Sequence, residues 1–298
     1  MAKDLRLGIA LALFAATLWG VSGTFGQYVF QDKNVGVSWM LTMRLLVSGV
    51  ILFLYGQFTA GAKAMAAVWK DRRSMWHLIL FSITGITAVQ YTYFEAIKHS
   101  NAATATVLQY VAPVLIAVYL TLRYKRLPRP IELLAILLAV VGTILLVTHG
   151  QFNQLTITRT ALFFGLASAV TLAIYTLQPI SLIRKYGAVP VLAWGMLIGG
   201  LLSSFFTPPW EVSGQWDGGT YLATGFIILL GTAAAFLAYL NAVQLIGGQK
   251  ASLLASVEPL SATLLAVVWL HVPFGILDWI GTICIISTVF LLSKKQST

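Results

Sequence analysis

Apolar runs long enough to cross a membrane fill most of this chain, and short polar breaks separate them. Ten can be traced, at roughly 8–30, 36–58, 75–97, 102–122, 131–148, 160–182, 189–207, 220–246, 251–271 and 275–293. Crossing a bilayer as a helix takes about 20 mostly apolar residues, so each run predicts one spanning helix. Most breaks are short and carry Gly, Pro, Asn or Lys. The longest, 59–74, mixes Ala and Met with basic residues and predicts an amphipathic segment along the membrane surface. The first run has 24 uncharged residues from Leu7 to Phe30. A signal-peptide core has only about 7–15, so this run is expected to remain as the first span.

One stretch is written twice. Residues 85–113 align with 231–259 at a constant offset of 146 and without a gap, pairing Gly85 with Gly231, Tyr93 with Tyr239, Ala96 with Ala242 and Pro113 with Pro259. The same offset pairs Glu132 with Asp278, each opening the last helix of its half. Before the repeat the match is looser, at an offset near 152, and the six-residue difference falls in the loop after the second span. Internal repeats in so apolar a chain predict a membrane protein of two halves, 1–150 and 159–295, with five helices in each.

Basic residues set the orientation. Lys3, Arg6, Lys63, Lys70, Arg72, Arg73, Arg123, Lys125, Arg126, Arg129, Arg184, Lys185, Lys250, Lys294 and Lys295 collect in breaks on one side, against Lys33, Lys98 and Arg159 on the other. By the positive-inside rule the richer side is cytoplasmic, with both termini on it. Five spans per half is an odd number, so the second half enters from the opposite face. The expectation is therefore an all-α integral membrane protein of two inverted five-helix repeats.

Composition excludes the main soluble classes. The chain is 58% hydrophobic and 9% charged, with a mean hydropathy of +0.86, where soluble domains carry about 25% charged residues. The net charge of +10 is spread between apolar runs rather than gathered on one face, which argues against nucleic-acid binding. Cys284 is the sole cysteine, so there is no intramolecular disulfide and no cysteine metal cluster.

Ionisable residues inside spans are costly and mark candidate function. Two stand out, Arg44 and Glu258. Glu258 shares a helical face with Ala251, Ala255 and Ala262, and the following Pro259 leaves the Ala255 carbonyl without its helical donor. A carboxylate there suits a cationic substrate group or a proton; the alternative is a packing role. Arg44 reads as a structural anchor to helix carbonyls. In the matching fourth span Gln109 precedes Pro113, and the two prolines are candidate hinges. Gln90 and Tyr93, with Tyr239, Trp19, Tyr175 and Gln178, complete a candidate substrate ring of aromatic and amide groups. Ordinary interhelical hydrogen bonding is the competing reading. Glu95 and Lys98 are spaced for a surface ion pair. Trp69, Trp76, Trp210, Trp216 and Trp279 fall where interfacial belts form.

The four histidines, His77, His99, His149 and His271, lie near span ends, and no HExxH, GxSxG, P-loop or paired intramembrane aspartates occur. No catalytic residue, metal or cofactor is expected, nor a pump driven by ATP. The absence of rings of like charge favours a carrier over a channel.

Leu18-Trp19-Gly20, Arg44, the run Tyr93-Phe94-Glu95-Ala96-Ile97-Lys98, then Ser100-Asn101-Ala102-Ala103, Pro113 and Glu258-Pro259 together resemble the drug/metabolite transporter superfamily, EamA type. The chain departs from that pattern where the family often has Gly-Glu, carrying Arg123-Tyr124-Lys125-Arg126 and His271-Val272-Pro273 instead. The resemblance implies ten helices in two inverted repeats around a central cavity. It also implies movement of small metabolites across the plasma membrane, often export of amino acids or related compounds. The expectation is a secondary active transporter of an amino-acid-like or amphiphilic solute, working by alternating access; the alternative is a carrier of quaternary or aromatic cations, and a scaffold without transport is the third. Its partners would be that small-molecule substrate and the lipid bilayer, with proton coupling open to Glu258. A monomer suffices to enclose a cavity, and a dimer is compatible.

Overall fold

The computed structural model describes residues 2–125, 127–149 and 157–293. Arg126, Lys294 and Lys295, counted above among the basic residues, lie outside them. In chain order, α1 spans Ala2–Gln27 and continues through a π-helical turn, Tyr28–Asp32; α2 is Val37–Thr59. The helix α3 joins Arg72–Phe81, a π-helical segment Ser82–Thr87, and Ala88–His99. Two pieces, Ala102–Gln109 and Ala112–Arg123, form α4, and α5 is Pro130–Thr148. In the rest of the chain, α6 comprises Arg159–Leu177 and Ile180–Tyr186, and α7 is Ala188–Phe206. Next, α8 joins Gly218–Gly225, a π-helical segment Phe226–Ala234, and Ala235–Ile246. Last come α9, made of Gly248–Ala255 and Val257–Val268, and α10, Ile276–Ser293. No strand occurs among the described residues.

Seven of these helices, α1, α2, α4, α6, α7, α8 and α9, are long and apolar enough to cross a membrane, and α5 and α10 are shorter apolar helices. The expected third run, 75–97, is helical within α3 but stands outside the seven. Its later turns carry Gln90, Thr92, Tyr93 and Glu95, polar groups that lower its hydropathy. Exposed Phe163, Leu201, Phe205, Leu222 and Leu264 cover the outside of the bundle, a surface suited to hydrocarbon rather than water.

The first helix of each half packs on the other half. Thus α1 lies against α8 and α9, while α6 lies against α3 and α4; α2 pairs with α7 and α5 with α10. Small residues allow these approaches. A Cβ on Gly49 of α2 would lie 2.9 Å from the Leu197 nitrogen, and one on Gly200 of α7 would lie 2.8 Å from the Leu46 nitrogen. At the second pairing a Cβ on Gly142 would lie 2.7 Å from the Gly281 oxygen, and one on Gly281 would lie 2.8 Å from the Gly142 oxygen. Both interfaces are reciprocal. Cys284 sits at the second of them, beside Gly142.

The last helices of the halves begin alike. Glu132 accepts from the Arg129 nitrogen at 2.9 Å and Asp278 from the Gly275 nitrogen at 2.7 Å, each three residues inside its helix. A carboxylate there satisfies a backbone donor that the first turn leaves open. The break expected along the membrane surface, 59–74, forms two short helices, Ala62–Ala66 and Ala67–Lys70. Met65 and Val68 point inward and Lys63 and Lys70 outward, and the Trp194 ring nitrogen donates to the Met65 carbonyl at 2.7 Å. Of the expected belt, Trp69, Trp76 and Trp210 are exposed, whereas Trp216 packs on Trp39 and Tyr221, and Trp279 on Phe274.

One expected pair is corrected. Glu95 is buried and its carboxylate lies 3.4 Å from His99, four residues on, while Lys98 is exposed. Both spacings are helical neighbours. The face carrying Glu95 and His99 turns toward α6, where His99 stacks on Phe164, and Lys98 points away.

Candidate substrate site

The site forms where two helices are broken. Pro113 cannot donate to the Gln109 carbonyl, nor Pro259 to the Ala255 carbonyl, and each helix leaves the regular α conformation three residues before its proline. Tyr110 takes φ −71°, ψ 4° and Ser256 takes φ −67°, ψ 0°. Repeat-related positions thus break in the same way.

The two breaks are joined by one side chain. The Tyr110 hydroxyl donates to the Ala255 carbonyl at 2.8 Å, and it also lies 3.1 Å from Oε2 of Glu258. The acceptor freed by Pro259 therefore receives its hydrogen from the other half of the chain. Around it, the Tyr93 hydroxyl lies 2.8 Å from Oγ1 of Thr106, which itself donates to the Ala102 carbonyl at 2.7 Å. Because the Thr106 hydrogen is used there, Tyr93 is the donor of the shared bond. Glycine makes room for it: a Cβ on Gly23 of α1 would strike the Tyr93 hydroxyl.

Aromatic rings close one side. Trp19 meets Phe236 edge-on at 5.4 Å and tilts over Tyr239 at 5.2 Å. Tyr110 lies within electrostatic reach of Glu258, Tyr93 and Tyr239, and Tyr239 within that of Tyr175. On the other side Arg44 is buried, and it donates through Nε to Oγ1 of Thr232 and through Nη2 to the Gly231 carbonyl at 3.4 Å. Its guanidinium lies 4.8 Å from the centre of the Phe94 ring, a cation–π contact. Both acceptors belong to the π-helical segment of α8, whose Ile228 carbonyl takes a further bond from Ser48 at 2.9 Å. A π turn leaves carbonyls misaligned with the α ladder, and α2 supplies their donors. At the related π segment of α3, α7 brings Gly195 and Gly199 against Ile86 and Thr87 instead. One junction is polar and charged, the other bare.

One buried amide oxygen remains uncommitted. Gln90 is buried and its Oε1 has no hydrogen-bond partner among the described residues. Gln109 is buried as well, at the end of the first piece of α4. Leaving a buried amide unpaired costs about 1–3 kcal/mol, a cost that a bound polar ligand would offset.

Comparison with known proteins agrees with this architecture. The model of the EamA-like transporter family matches the chain twice, at 6–148 and at 159–294. The chain belongs to the EamA-like transporter family. A relative in Salmonella typhimurium, named "Uncharacterized inner membrane transporter YicL", is 40% identical over 97% of this chain and 95% of its own length. Another, the "Uncharacterized transporter YwfM" of Bacillus subtilis, is 24% identical over 96% of this chain and 94% of its own. A protein of known crystal structure superposes over the full length of both chains with a TM-score of 0.63 at 17% identity, a likeness of fold. The chain is a multi-pass membrane transporter of this family.

Within this family member, the expected site residues divide into two groups. Tyr93, Tyr239 and Glu258 come together around Tyr110, with Gln109 beside it in the chain and Trp19 against Tyr239. Tyr175 stacks on Phe81 at 5.7 Å, and Gln178 one turn on lies 3.0 Å from Thr84 of α3, so that end of α6 is engaged with α3 rather than with Glu258. Tyr110 itself was missed by reading the repeat for matching faces. Its signal was its position three residues before Pro113, where the ladder breaks.

Proposed function

We propose that this transporter is a secondary active carrier that moves an amino-acid-like or amphiphilic small solute across the plasma membrane, in the direction of export, by alternating access. The observation that carries the reading is the Tyr110–Ala255 bond: two broken helices, one from each half, meet beside a carboxylate inside a membrane bundle. Broken helices at the junction of repeats are where carriers of this kind hold substrate and coupling ions. The two stretches matched by the family, 6–148 and 159–294, support halves of 1–150 and 159–295. The reciprocal α2–α7 and α5–α10 packing supports inverting them. On this reading the polypeptide crosses ten times, with both termini in the cytoplasm.

Gln90 and Gln109 orient the solute, Trp19 and Tyr239 cover it, and Glu258 meets its cationic group or carries a coupling proton. Pro113 and Pro259 are the hinges. Arg44, whose hydrogen bonds go to α8, holds the scaffold. An apolar groove of about 430 Å³ between α1, α9 and α10, lined by Ile9, Leu254, Val257, Leu260 and Ile286, borders the α9 break and suits an amphiphilic solute.

One observation favours a second reading, a carrier of quaternary or aromatic cations. Trp19, Phe236 and Tyr239 form an aromatic wall with a single carboxylate near it, a combination that binds cations well. Uptake of isotope-labelled amino acids and quaternary amines into proteoliposomes separates the two. Uptake of amines alone would transfer the assignment to the second reading, and uptake of neither, across a broad panel, would leave a scaffold.

A further inference from the structure

Two ion pairs, at opposite ends of the bundle, are copies of each other. Nζ of Lys33, just after α1, lies 2.7 Å from Oδ2 of Asp217, the residue that caps α8. Nζ of Lys185, in the last turn of α6, lies 2.7 Å from Oδ2 of Asp71, the residue that caps α3. Asp71 and Asp217 are 146 residues apart, and Lys33 and Lys185 are 152 apart, the two offsets that relate the halves. Each pair crosses between halves: the lysine at the end of one half's first helix reaches the aspartate that opens the other half's third. The 23 residues of α2 separate the two ends, about 35 Å at 1.5 Å per residue.

A bond of the same kind stands beside each pair, between residues that the two offsets do not relate. The Trp39 ring nitrogen on α2 donates to the Pro209 carbonyl at 2.9 Å, and that of Trp194 on α7 donates to the Met65 carbonyl at 2.7 Å. In both cases the second helix of one half grips the loop between the second and third helices of the other. The Lys33 end is held further, because its carbonyl accepts from the Gln215 nitrogen at 2.8 Å and the Gly36 nitrogen donates to Ser213 at 3.0 Å. At the Lys185 end, Tyr186 donates to Ser74 at 3.0 Å and Ser74 to Asp71 at 2.6 Å. A cleft of about 390 Å³ opens there, lined by Asp71, Ser74, His77, Ser181 and Lys185.

We infer that these are the two gate latches of the carrier: Lys33–Asp217 with Trp39 closes the outer end, and Lys185–Asp71 with Trp194 closes the inner end. This rests on the alternating-access reading. Each latch ties the moving halves where a path to one side would open, and both ion pairs are formed in this structure. Opening to either side breaks one latch while its copy stays shut. Duplicated latches give the two facing states comparable restraint, and the extra backbone bonds at the Lys33 end bias the carrier toward opening inward.

The test uses reporters in a Cys284→Ser background. Val35→Cys and Leu182→Cys replace buried residues next to the outer and inner pair respectively. Labelling with a membrane-impermeant thiol reagent is measured from each side of vesicles, without substrate. Lys33→Ala is expected to raise labelling of the Val35→Cys reporter roughly two- to fivefold, the bias that an exposed ion pair can exert, and to lower labelling of the Leu182→Cys reporter. Lys185→Ala is expected to do the reverse. Lys33→Arg, which keeps a cation opposite Asp217 and leaves the α8 cap in place, is expected to keep the original ratio. Labelling that is unchanged, or that rises at both reporters in one variant, would overturn the latches. Because no substrate is needed, that failure is distinct from a failure to find transport.

Discussion

The Tyr110 hydroxyl reaches the Ala255 carbonyl across 145 positions of sequence, and it binds an acceptor that exists only because Pro259 removed its helical donor. Tyr110→Phe keeps the ring and deletes the hydrogen. The carbonyl is then orphaned and Glu258 loses a neighbour. Hydrogen bonds inside membrane proteins average below 1 kcal/mol, and an orphaned buried acceptor costs about 1–3 kcal/mol. The expected loss is about 1 kcal/mol, read as a lower unfolding midpoint in detergent, with transport reduced further than stability. Tyr110→Phe with both unchanged would mean that the bond has no weight in the fold.

Arg44 is expected to resist replacement by lysine. A planar guanidinium reaches Thr232 and Gly231 together while lying on the Phe94 ring, and an ammonium cannot do all three. Arg44→Lys should lower the folded yield and the unfolding midpoint more than Ser48→Ala, which removes a single bond to Ile228. Equal effects would show that geometry at Arg44 does not matter.

The α5–α10 crossing offers a steric check. Gly142→Ala places a Cβ 2.7 Å from the Gly281 oxygen, and backbone cannot yield as a flexible side chain can. Overpacking of this kind costs about 1–3 kcal/mol. Gly218→Ala, where a Cβ would meet nothing within 4 Å, is the control and should leave the melting midpoint near wild type.

How legible was all this beforehand? The repeat, the two proline breaks and the matched Glu132 and Asp278 were plain, because each is local or recurs at one offset. The Ala255 carbonyl was identified as freed, since proline chemistry acts on its own helix. Its donor was not, because Tyr110 lies off the face shared by Gln109 and Ala112 and meets α9 only once the halves are packed. Glu95 had two helical neighbours of opposite potential charge, and only the position of α6 decides for His99. The latches went unseen for another reason. Their lysines sit at helix ends related by one offset and their aspartates at helix caps related by the other, so neither alignment alone contains the pair.

The outer latch also has a pH signature. The Lys33 ammonium beside it holds the Asp217 carboxyl below the usual carboxylate range, and Asp217 raises Lys33 above the usual lysine range. The pair's contribution is therefore present above the ordinary carboxylate pKa near 4 and below the ordinary lysine pKa near 10. It is lost as pH falls through the depressed Asp217 pKa, or rises through the elevated Lys33 pKa. Labelling of the Val35→Cys reporter, corrected for reagent reactivity, should be flat from about pH 5 to 9. A step inside that window would assign the gate to another group.

The central claim is that a solute moves through the junction where α4 and α9 break, under the control of Glu258. The most direct measurement is substrate-evoked current in proteoliposomes, for wild type and Glu258→Gln, at two pH values, with isotope uptake for electroneutral exchange. The account predicts solute-specific transport in wild type that is lost or loses its pH dependence in Glu258→Gln, with the variant still folded. Transport that is the same in both proteins at both pH values would contradict it and leave Glu258 as a packing residue.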